Sequence, residues 1–170
     1  MINYKISVIV PLYNAENFLK RAFNSVLNQT LGFDNIELIL VDDVSTDSTR
    51  DIMFSLSNKY ENVKCIFLDE NSGSPCIPRN KGIEEANGKY IMFLDQDDTY
   101  DENICKILYD KIAKTNKNVV GCRYKPFRLD NNYELPQNLE EIEVNPLNDS
   151  YFYDNDFNWF MVWDKIYKKD

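Results

Sequence analysis

The 170-residue chain contains no histidine. This absence removes imidazole from the possible catalytic bases and metal ligands, so a Ser-His-Asp triad and a histidine-ligated zinc are both excluded. A bound metal would have to be held by oxygen, which favours Mg²⁺ or Mn²⁺. A general base would have to be Asp, Glu, Lys, Tyr or Cys.

Three further features are scarce or missing. No apolar run approaches the roughly 20 residues of a transmembrane helix, and the start of the chain has no signal-peptide cleavage site. No two of the four cysteines form a C-x-x-C pair, which argues against zinc and dithiol redox motifs. Basic residues are outnumbered and the net charge is −9, which argues against a nucleic-acid partner. We therefore expect a cytoplasmic protein with reduced cysteines.

Short apolar runs alternate with amphipathic segments along the first two thirds of the chain. The runs predict buried strands at 6–10, 36–41, 63–68, 90–94 and 119–122. The amphipathic segments predict helices over 17–28, from the capping residues 45–48 to about 60, over 79–87 with Gly88 as the C-cap, and over 102–116. This alternation indicates an α/β domain with a mostly parallel sheet flanked by helices.

Polar residues follow three of the predicted strands. They are Pro11 to Asn14, Asp42-Asp43, and the four residues Asp95 to Asp98. Ligands of parallel sheets bind at the carboxyl ends of the strands. The sequence therefore predicts one binding site built from these three segments.

The acidic segment is the strongest candidate for a metal site. If the strand continues past Leu94, Asp95 and Asp97 point to the same side and can share a cation. Mg²⁺ typically takes one or two carboxylates together with phosphate oxygens. The alternative is an ordinary Asp-rich turn.

Two other candidates also have plain structural explanations. Asp42-Asp43 can receive hydrogen bonds from a base or ribose, but Asp and Ser residues at this point can equally cap the next helix. Arg79 can pair with a diphosphate or be a surface charge.

Taken in order, several segments resemble the family 2 glycosyltransferases of the GT-A fold, over roughly residues 4 to 113. The matching segments are Ser7 to Asn14, Ser25 to Thr30, Glu37 to Asp43 with Ser45 to Asp47, Asn71 and Gly73 with Arg79-Asn80, and Gly88 to Asp98. The resemblance implies a Rossmann-like, nucleotide-sugar-binding core over residues 1–123. Residues 124–170 would then begin an acceptor-side region that is incomplete, with its C-terminal part truncated.

The resemblance also implies roles for individual residues. The nucleotide would be bound by Pro11, Tyr13, Asn14, Asp43, Arg79 and Asp95. Mn²⁺ or Mg²⁺ would be held by Asp97 and Asp95, with Asp98 in support. The catalytic base, usually in a Glu-Asp pair beyond a Trp-x-Lys segment such as Trp163 to Lys165, would lie beyond residue 170.

Two positions depart from the family pattern. Val44 stands where glycine usually follows the aspartate pair, so we expect that turn to be shaped differently. Pro78 stands where alanine is usual, which we expect only to start the helix.

The function implied is metal-assisted, inverting transfer of a sugar from a nucleotide-diphosphate sugar to a glycan or lipid-linked acceptor of the bacterial surface. The protein would be cytoplasmic and could associate peripherally with the inner face of the membrane. One alternative is a phosphatase of the haloacid dehalogenase type, because Asp95-x-Asp97-x-Thr99 fits that nucleophile motif. Another is a donor-binding fragment without turnover.

Overall fold

The computed structural model describes residues 4–122 and 165–169, and these residues form one mixed sheet with helices on both faces. The strands are β1 (Ile6–Leu12), β2 (Ile36–Asp42), β3 (Val63–Phe67), β4 (Tyr90–Phe93), β5 (Val119–Gly121) and β6 (Lys165–Lys168). Across the sheet they lie in the order β3-β2-β1-β4-β6-β5.

The first four strands are parallel, as the alternation of apolar runs predicted. Val8 of β1 lies level with Leu38 of β2 on one side and with Met92 of β4 on the other. Strands β1 and β2 are buried along their whole length, which explains their continuous runs of Val, Ile and Leu. The sequence did not predict β6, which pairs antiparallel with both β4 and β5 and makes the sheet mixed.

Four α-helices cover the sheet within the described residues. They are α1 (Leu19–Leu27), α2 (Thr49–Lys59), α3 (Cys76–Glu85) and α4 (Ile104–Thr115). Helices α1, α2 and α4 pack on one face, where Leu19, Met53 and Leu108 join the core cluster of buried strand residues. Helix α3 covers the other face through Ile83, which packs against a smaller cluster containing Phe93. The predicted α/β architecture is confirmed.

The prediction for α3 was wrong at both ends. The helix begins at Cys76 and ends at Glu85, with Ala86 as an extended C-cap, so Gly88 is not its cap. Pro78 lies inside the first turn, where a backbone N–H would have no intrahelical partner in any case. Gly88 serves a different purpose, because a Cβ there would collide with the backbone nitrogen of Ser7.

The start of α2 shows how its capping residues are used. Ser48 occupies the N-cap position but makes no side-chain cap. Asp47 supplies it instead, since its Oδ1 accepts a hydrogen bond from Thr49 N at 2.9 Å. Its Oδ2 accepts a second bond from the backbone N of Glu16 at 3.1 Å, which ties the loop after β1 to the loop after β2.

Two of the sequence-based expectations concern residues outside the described ranges. Most of the predicted acceptor-side region 124–170 lies outside the described residues, and the proposed boundary at 123 stays a prediction. Across residues 4–122 and 165–169, no helix has both the length and the apolar character needed to cross a bilayer. The longest of them, α4, has 12 residues.

Candidate functional site

A cavity of about 370 Å³ lies at the carboxyl ends of β1, β2 and β4. This volume is in the range of small-molecule binding pockets. Its lining residues come from the ends of these strands and the loops after them, from the loop between β3 and α3, and from the first turn of α3. They are Pro11, Leu12, Tyr13, Asp43, Asn71, Gly73, Ser74, Pro75, Pro78, Arg79, Asp95, Gln96 and Asp97.

The cavity brings together nearly all the residues that the sequence singled out. Its lining includes Pro11, Tyr13, Asp43, Arg79, Asp95 and Asp97. Asn14 and Asp98 lie outside the lining. Asn14 Oδ1 accepts a hydrogen bond from Thr46 N at 2.8 Å, and Asn14 N donates to Ser45 Oγ at 2.9 Å. With a φ of 49°, Asn14 turns the chain after β1 and braces two loops against each other.

Asp43 receives hydrogen bonds from the loop between β3 and α3. Its side chain is almost fully buried, with 5% of the residue exposed. Ser72 donates to both carboxylate oxygens, from N to Oδ1 at 2.8 Å and from Oγ to Oδ2 at 2.9 Å. Asn71 Nδ2 donates to the Asp43 carbonyl at 2.8 Å. The carboxylate is therefore fixed at the cavity wall, and sequence reasoning did not identify Ser72 as its partner.

Arg79 of α3 forms an ion pair with Asp95 at the end of β4. Both side chains are mostly buried, with 18% and 29% exposed respectively. Arg79 Nε is buried as well and has no hydrogen-bond partner among the described atoms. A buried donor without an acceptor is costly. A phosphate oxygen entering this part of the cavity would satisfy it through a charge-assisted bond.

The acidic segment does not continue the strand, so the argument that Asp95 and Asp97 face the same side by strand alternation was wrong. The chain turns at Gln96-Asp97, and Asp98 N donates to Asp95 O at 3.0 Å. The turn nevertheless leaves both Asp95 and Asp97 on the cavity wall. The physical reason is that β4 ends at Phe93 and the bond from Asp98 N to Asp95 O closes a turn. Burial, and then the charges of Asp97 and Asp95, raise the pKa of Asp98.

The residues present fit a hard divalent cation whose remaining ligands are water and substrate phosphate oxygens. Among the described residues, no three acidic or cysteine side chains are grouped closely enough to form a complete metal cage. Asp97 is exposed at the cavity, and Asp95 is shared with Arg79. Two carboxylates are the usual protein share of a Mg²⁺ site that is completed by water and substrate phosphates.

Gln96 connects the two halves of the cavity. Tyr13 N donates to Gln96 Oε1 at 2.8 Å, and Gln96 Nε2 donates to Tyr13 O at 3.2 Å. The side-chain amide thus pairs with the backbone of Tyr13 much as a neighbouring strand would. Sequence reasoning placed Gln96 in the acidic segment without a role, because the partner lies far away in the chain.

The turn after the aspartate pair has the backbone conformation of a glycine although the residue is valine. Val44 has a φ of 64°. The expectation that this turn differs in shape from that of the family stays a prediction. A β-branched residue in the left-handed region is a genuine outlier and is strained. Ser45 N donates to Asp42 at 3.2 Å directly after it, which helps to hold the turn closed.

A buried lysine lies at the same edge of the sheet as the cavity. Lys165 begins β6 level with Gly121 of β5 and is 2% exposed. Because β6 runs antiparallel to β4 and Ile166 pairs with Met92, Lys165 lies toward the carboxyl end of β4. The Trp-x-Lys resemblance was the one sequence signal for it.

Comparison with known proteins identifies the family. The sequence profile of glycosyl transferase family 2 matches residues 7–165. Over 94 residues the chain is 47% identical to poly(ribitol-phosphate) beta-glucosyltransferase of Bacillus spizizenii, a match that covers 55% of this chain and 15% of that protein. Over 102 residues it is 39% identical to poly(ribitol-phosphate) beta-N-acetylglucosaminyltransferase TarS of Staphylococcus aureus, a match that covers 60% of this chain and 18% of that protein.

Solved structures agree with this assignment. The structure of TarS 1-349 from S. aureus in complex with UDP superposes with a TM-score of 0.76 and 31% identity. The match covers 97% of this chain and 47% of the TarS chain, so the present chain spans about half of that structure. A mannosyltransferase from Pyrobaculum calidifontis in complex with GDP-Man and Mn²⁺, at 20% identity and a TM-score of 0.64, shares the fold.

The comparisons do not favour the phosphatase alternative. Its nucleophile would be Asp95, but this carboxylate is paired with Arg79, and three parallel strands precede β4, the strand that leads to it. The order of the motifs, the GT-A architecture and the profile match all agree. The chain belongs to glycosyl transferase family 2.

Proposed function

We propose that this protein transfers a sugar from a uridine diphosphate sugar to a hydroxyl group of a glycan or lipid-linked acceptor at the bacterial surface. The observation that carries the proposal is one cavity that combines a buried carboxylate, an arginine with an unpaired buried donor, and two carboxylates in a turn. Two TarS structures support the choice of nucleotide, because they contain UDP and UDP-GlcNAc.

The nucleoside would bind between Tyr13 and Asp43. Tyr13 is 48% exposed at the cavity and offers a ring face to a base. Asp43 can accept a hydrogen bond from a base N–H or a ribose hydroxyl, because each of its carboxylate oxygens has lone-pair capacity beyond its bond with Ser72. Pro11 contributes an apolar wall beside them.

The diphosphate would lie between Arg79 and the acidic turn. Arg79 would donate through its unpaired Nε while keeping its ion pair with Asp95. Asp97 and Asp95 would hold Mn²⁺ or Mg²⁺ there. When bound, such an ion supplies Lewis-acid stabilisation of the charge that develops on the departing diphosphate.

The transfer itself would proceed with inversion. A carboxylate of the enzyme removes the proton from the acceptor hydroxyl, and that oxygen attacks the anomeric carbon from the face opposite the nucleotide. With no histidine in the chain, a carboxylate is the natural base. The family resemblance assigns this role to a Glu-Asp pair beyond residue 170, and this assignment stays a prediction.

The acceptor side rests on the relatives and on composition. Several relatives are named for teichoic or teichuronic acid biosynthesis, among them GgaA and TuaG of Bacillus subtilis. We propose that the Tyr- and Asn-rich segment 124–158 contributes to an acceptor cleft. We also propose a cytoplasmic enzyme that associates peripherally with the inner face of the membrane when its acceptor is lipid-linked.

Calorimetry with UDP, GDP and CDP, each with and without Mn²⁺, tests the proposal directly. We expect UDP to bind best and to bind more tightly when Mn²⁺ is present. Absence of UDP binding under both conditions would refute the proposal. A covalent or tight complex of Asp95 with a phosphate analogue such as beryllofluoride would instead favour the phosphatase reaction.

A further inference from the structure

The Ser72 hydroxyl has two acceptors within reach but only one proton to donate. Its Oγ lies 2.9 Å from Asp43 Oδ2 and 2.8 Å from the carbonyl oxygen of Ser74. A hydroxyl donates a single hydrogen bond at a time. The two contacts therefore describe alternative positions of one proton, and the distances favour neither strongly.

The two positions have different consequences for the cavity. In the first, the Ser72 O–H points to Asp43 Oδ2 and uses part of the capacity of that oxygen to accept hydrogen bonds. In the second, the O–H points to Ser74 O, and the negative charge of Oδ2 is fully available to another donor. The Ser72 backbone N–H stays on Oδ1 at 2.8 Å in either case, so the carboxylate keeps its orientation.

We propose that Ser72 is a positioning residue whose hydroxyl turns from Asp43 to Ser74 when a ligand donor reaches Asp43. The inference rests on the proposed function, because it assumes that Asp43 contacts the nucleobase. Ser72 itself is absent from the cavity lining, whereas Asp43 and Ser74 belong to it. The Ser72 hydroxyl thus affects ligand binding through Asp43 and needs no contact with the ligand.

Because of this arrangement, nucleotide affinity depends on whether the base edge that faces Asp43 carries a hydrogen-bond donor or an acceptor. A base with a ring N–H, such as uracil, gains a charge-assisted bond to Asp43, and this bond is strongest when the Ser72 proton points to Ser74 O. Cytosine has an acceptor in place of that ring N–H and can donate only through its exocyclic amine. Ser72 therefore competes more strongly with uracil than with cytosine.

Replacing Ser72 with alanine isolates the hydroxyl, because the backbone donor to Oδ1 is kept. We expect Ser72→Ala to bind UDP roughly two- to tenfold more tightly, the range for losing one competing hydrogen bond. CDP binding should gain less, because cytosine lacks the ring N–H of uracil, so the preference for UDP over CDP should widen. Ser72→Thr keeps a hydroxyl and should return the UDP affinity toward that of the parent.

The matched control is Ser57→Ala on α2, which also removes a serine hydroxyl bonded to a carbonyl, that of Phe54 at 3.2 Å. Calorimetry with both nucleotides on all four proteins, with folding checked by circular dichroism, decides the matter. Unchanged or weaker UDP binding by Ser72→Ala, or equal changes for UDP and CDP, would overturn the inference while leaving the proposed function intact. Failure of the parent chain to bind UDP would overturn both.

Discussion

Gln96 holds the backbone of Tyr13 from both sides, accepting from its N at 2.8 Å and donating to its carbonyl at 3.2 Å. The pair joins the loop after β1 to the acidic turn after β4. The side of the cavity proposed for the base and the side proposed for the metal are thereby held at a fixed spacing. The side chain of Gln96 thus links the two loops directly.

We expect Gln96→Ala to weaken UDP binding by about 0.5–1.5 kcal/mol for each of the two lost bonds, because the ligand must then order both loops. Titration calorimetry measures the change. Asn58→Ala, on the exposed side of α2, is the control and should bind like the parent. If Gln96→Ala keeps the UDP affinity of the parent, the arrangement of the two loops does not depend on the Gln96–Tyr13 hydrogen bonds.

Asp97→Ala should abolish the gain in UDP affinity that Mn²⁺ provides, because one oxygen ligand and one negative charge are lost. Binding without metal should change little. Asp69→Ala, in the exposed loop after β3, removes a carboxylate outside the cluster and should preserve the gain. Equal Mn²⁺ dependence in Asp97→Ala and the parent would remove Asp97 from the proposed metal site.

Asp43→Ala should weaken UDP binding by about 1–3 kcal/mol through loss of a charge-assisted hydrogen bond. Asp51→Ala, which removes a carboxylate from the exposed face of α2, is the matched control. The same loss should be seen with uridine alone, since the contact is to the nucleoside. A crystal structure with UDP bound and Asp43 free of ligand contacts would contradict the assignment.

Val44→Gly should stabilise the protein. The left-handed φ of 64° costs a β-branched residue about 1–3 kcal/mol. Glycine loses more conformational entropy on folding than valine does, and this offsets about 0.5–1 kcal/mol of the gain in stability. Thermal unfolding should therefore shift upward by a few degrees. Val44→Asn should fall between the two, and a lower melting temperature for Val44→Gly would show that the turn carries no strain.

The cap of α2 gives a pH-dependent prediction. Burial acts to raise the pKa of Asp47, but hydrogen bonds from Thr49 and Glu16 outweigh it and hold the pKa below its usual value. A depressed folded-state pKa means that the stabilisation is fully present above the unfolded value of about 3.9 and is lost as pH falls through the folded value.

The stability difference between the parent and Asp47→Asn should therefore be largest near neutral pH, about 0.3–1 kcal/mol for a charge at a helix N-terminus. It should shrink as pH falls below about 4. Urea unfolding at a series of pH values measures it, with Asp69→Asn as the control for removing a charge. A difference that stays constant down to pH 3 would show that the charge of Asp47 does not matter.

The parallel part of the sheet could be predicted because its strands are buried on both faces. Such strands form continuous apolar runs, and β1, β2 and β4 lie within about two residues of the predicted ranges. Strand β6 gave no such signal, since Lys165–Lys168 is only four residues long and has a lysine at each end. Its place between β4 and β5 depends on a pairing between distant parts of the chain.

The sequence predicted which residues line the site, but it did not predict the hydrogen bonds that hold them in place. The polar segments after β1, β2 and β4 converge because of topology, which the sequence pattern reveals. The partners of Asp43 and Tyr13 are Ser72 and Gln96, each in another loop, and local spacing carries no information about such pairs. The turn at Asp97 is closed by a hydrogen bond from Asp98 N to Asp95 O, which a strand pattern does not express.

The position of β6 sets the order in which the sheet can be completed during synthesis. Within the described residues, β5 hydrogen-bonds with β6 and not with β4, so β5 has no strand to join until residues 165–168 have left the ribosome. Until then β4 is an open edge next to the acidic turn, available for pairing with other chains. Pairing of β6 with β4 and β5 joins parts of the chain that are far apart in sequence, which makes it a slow folding step. A chain ending before Lys165 should therefore aggregate even though most of its core is present.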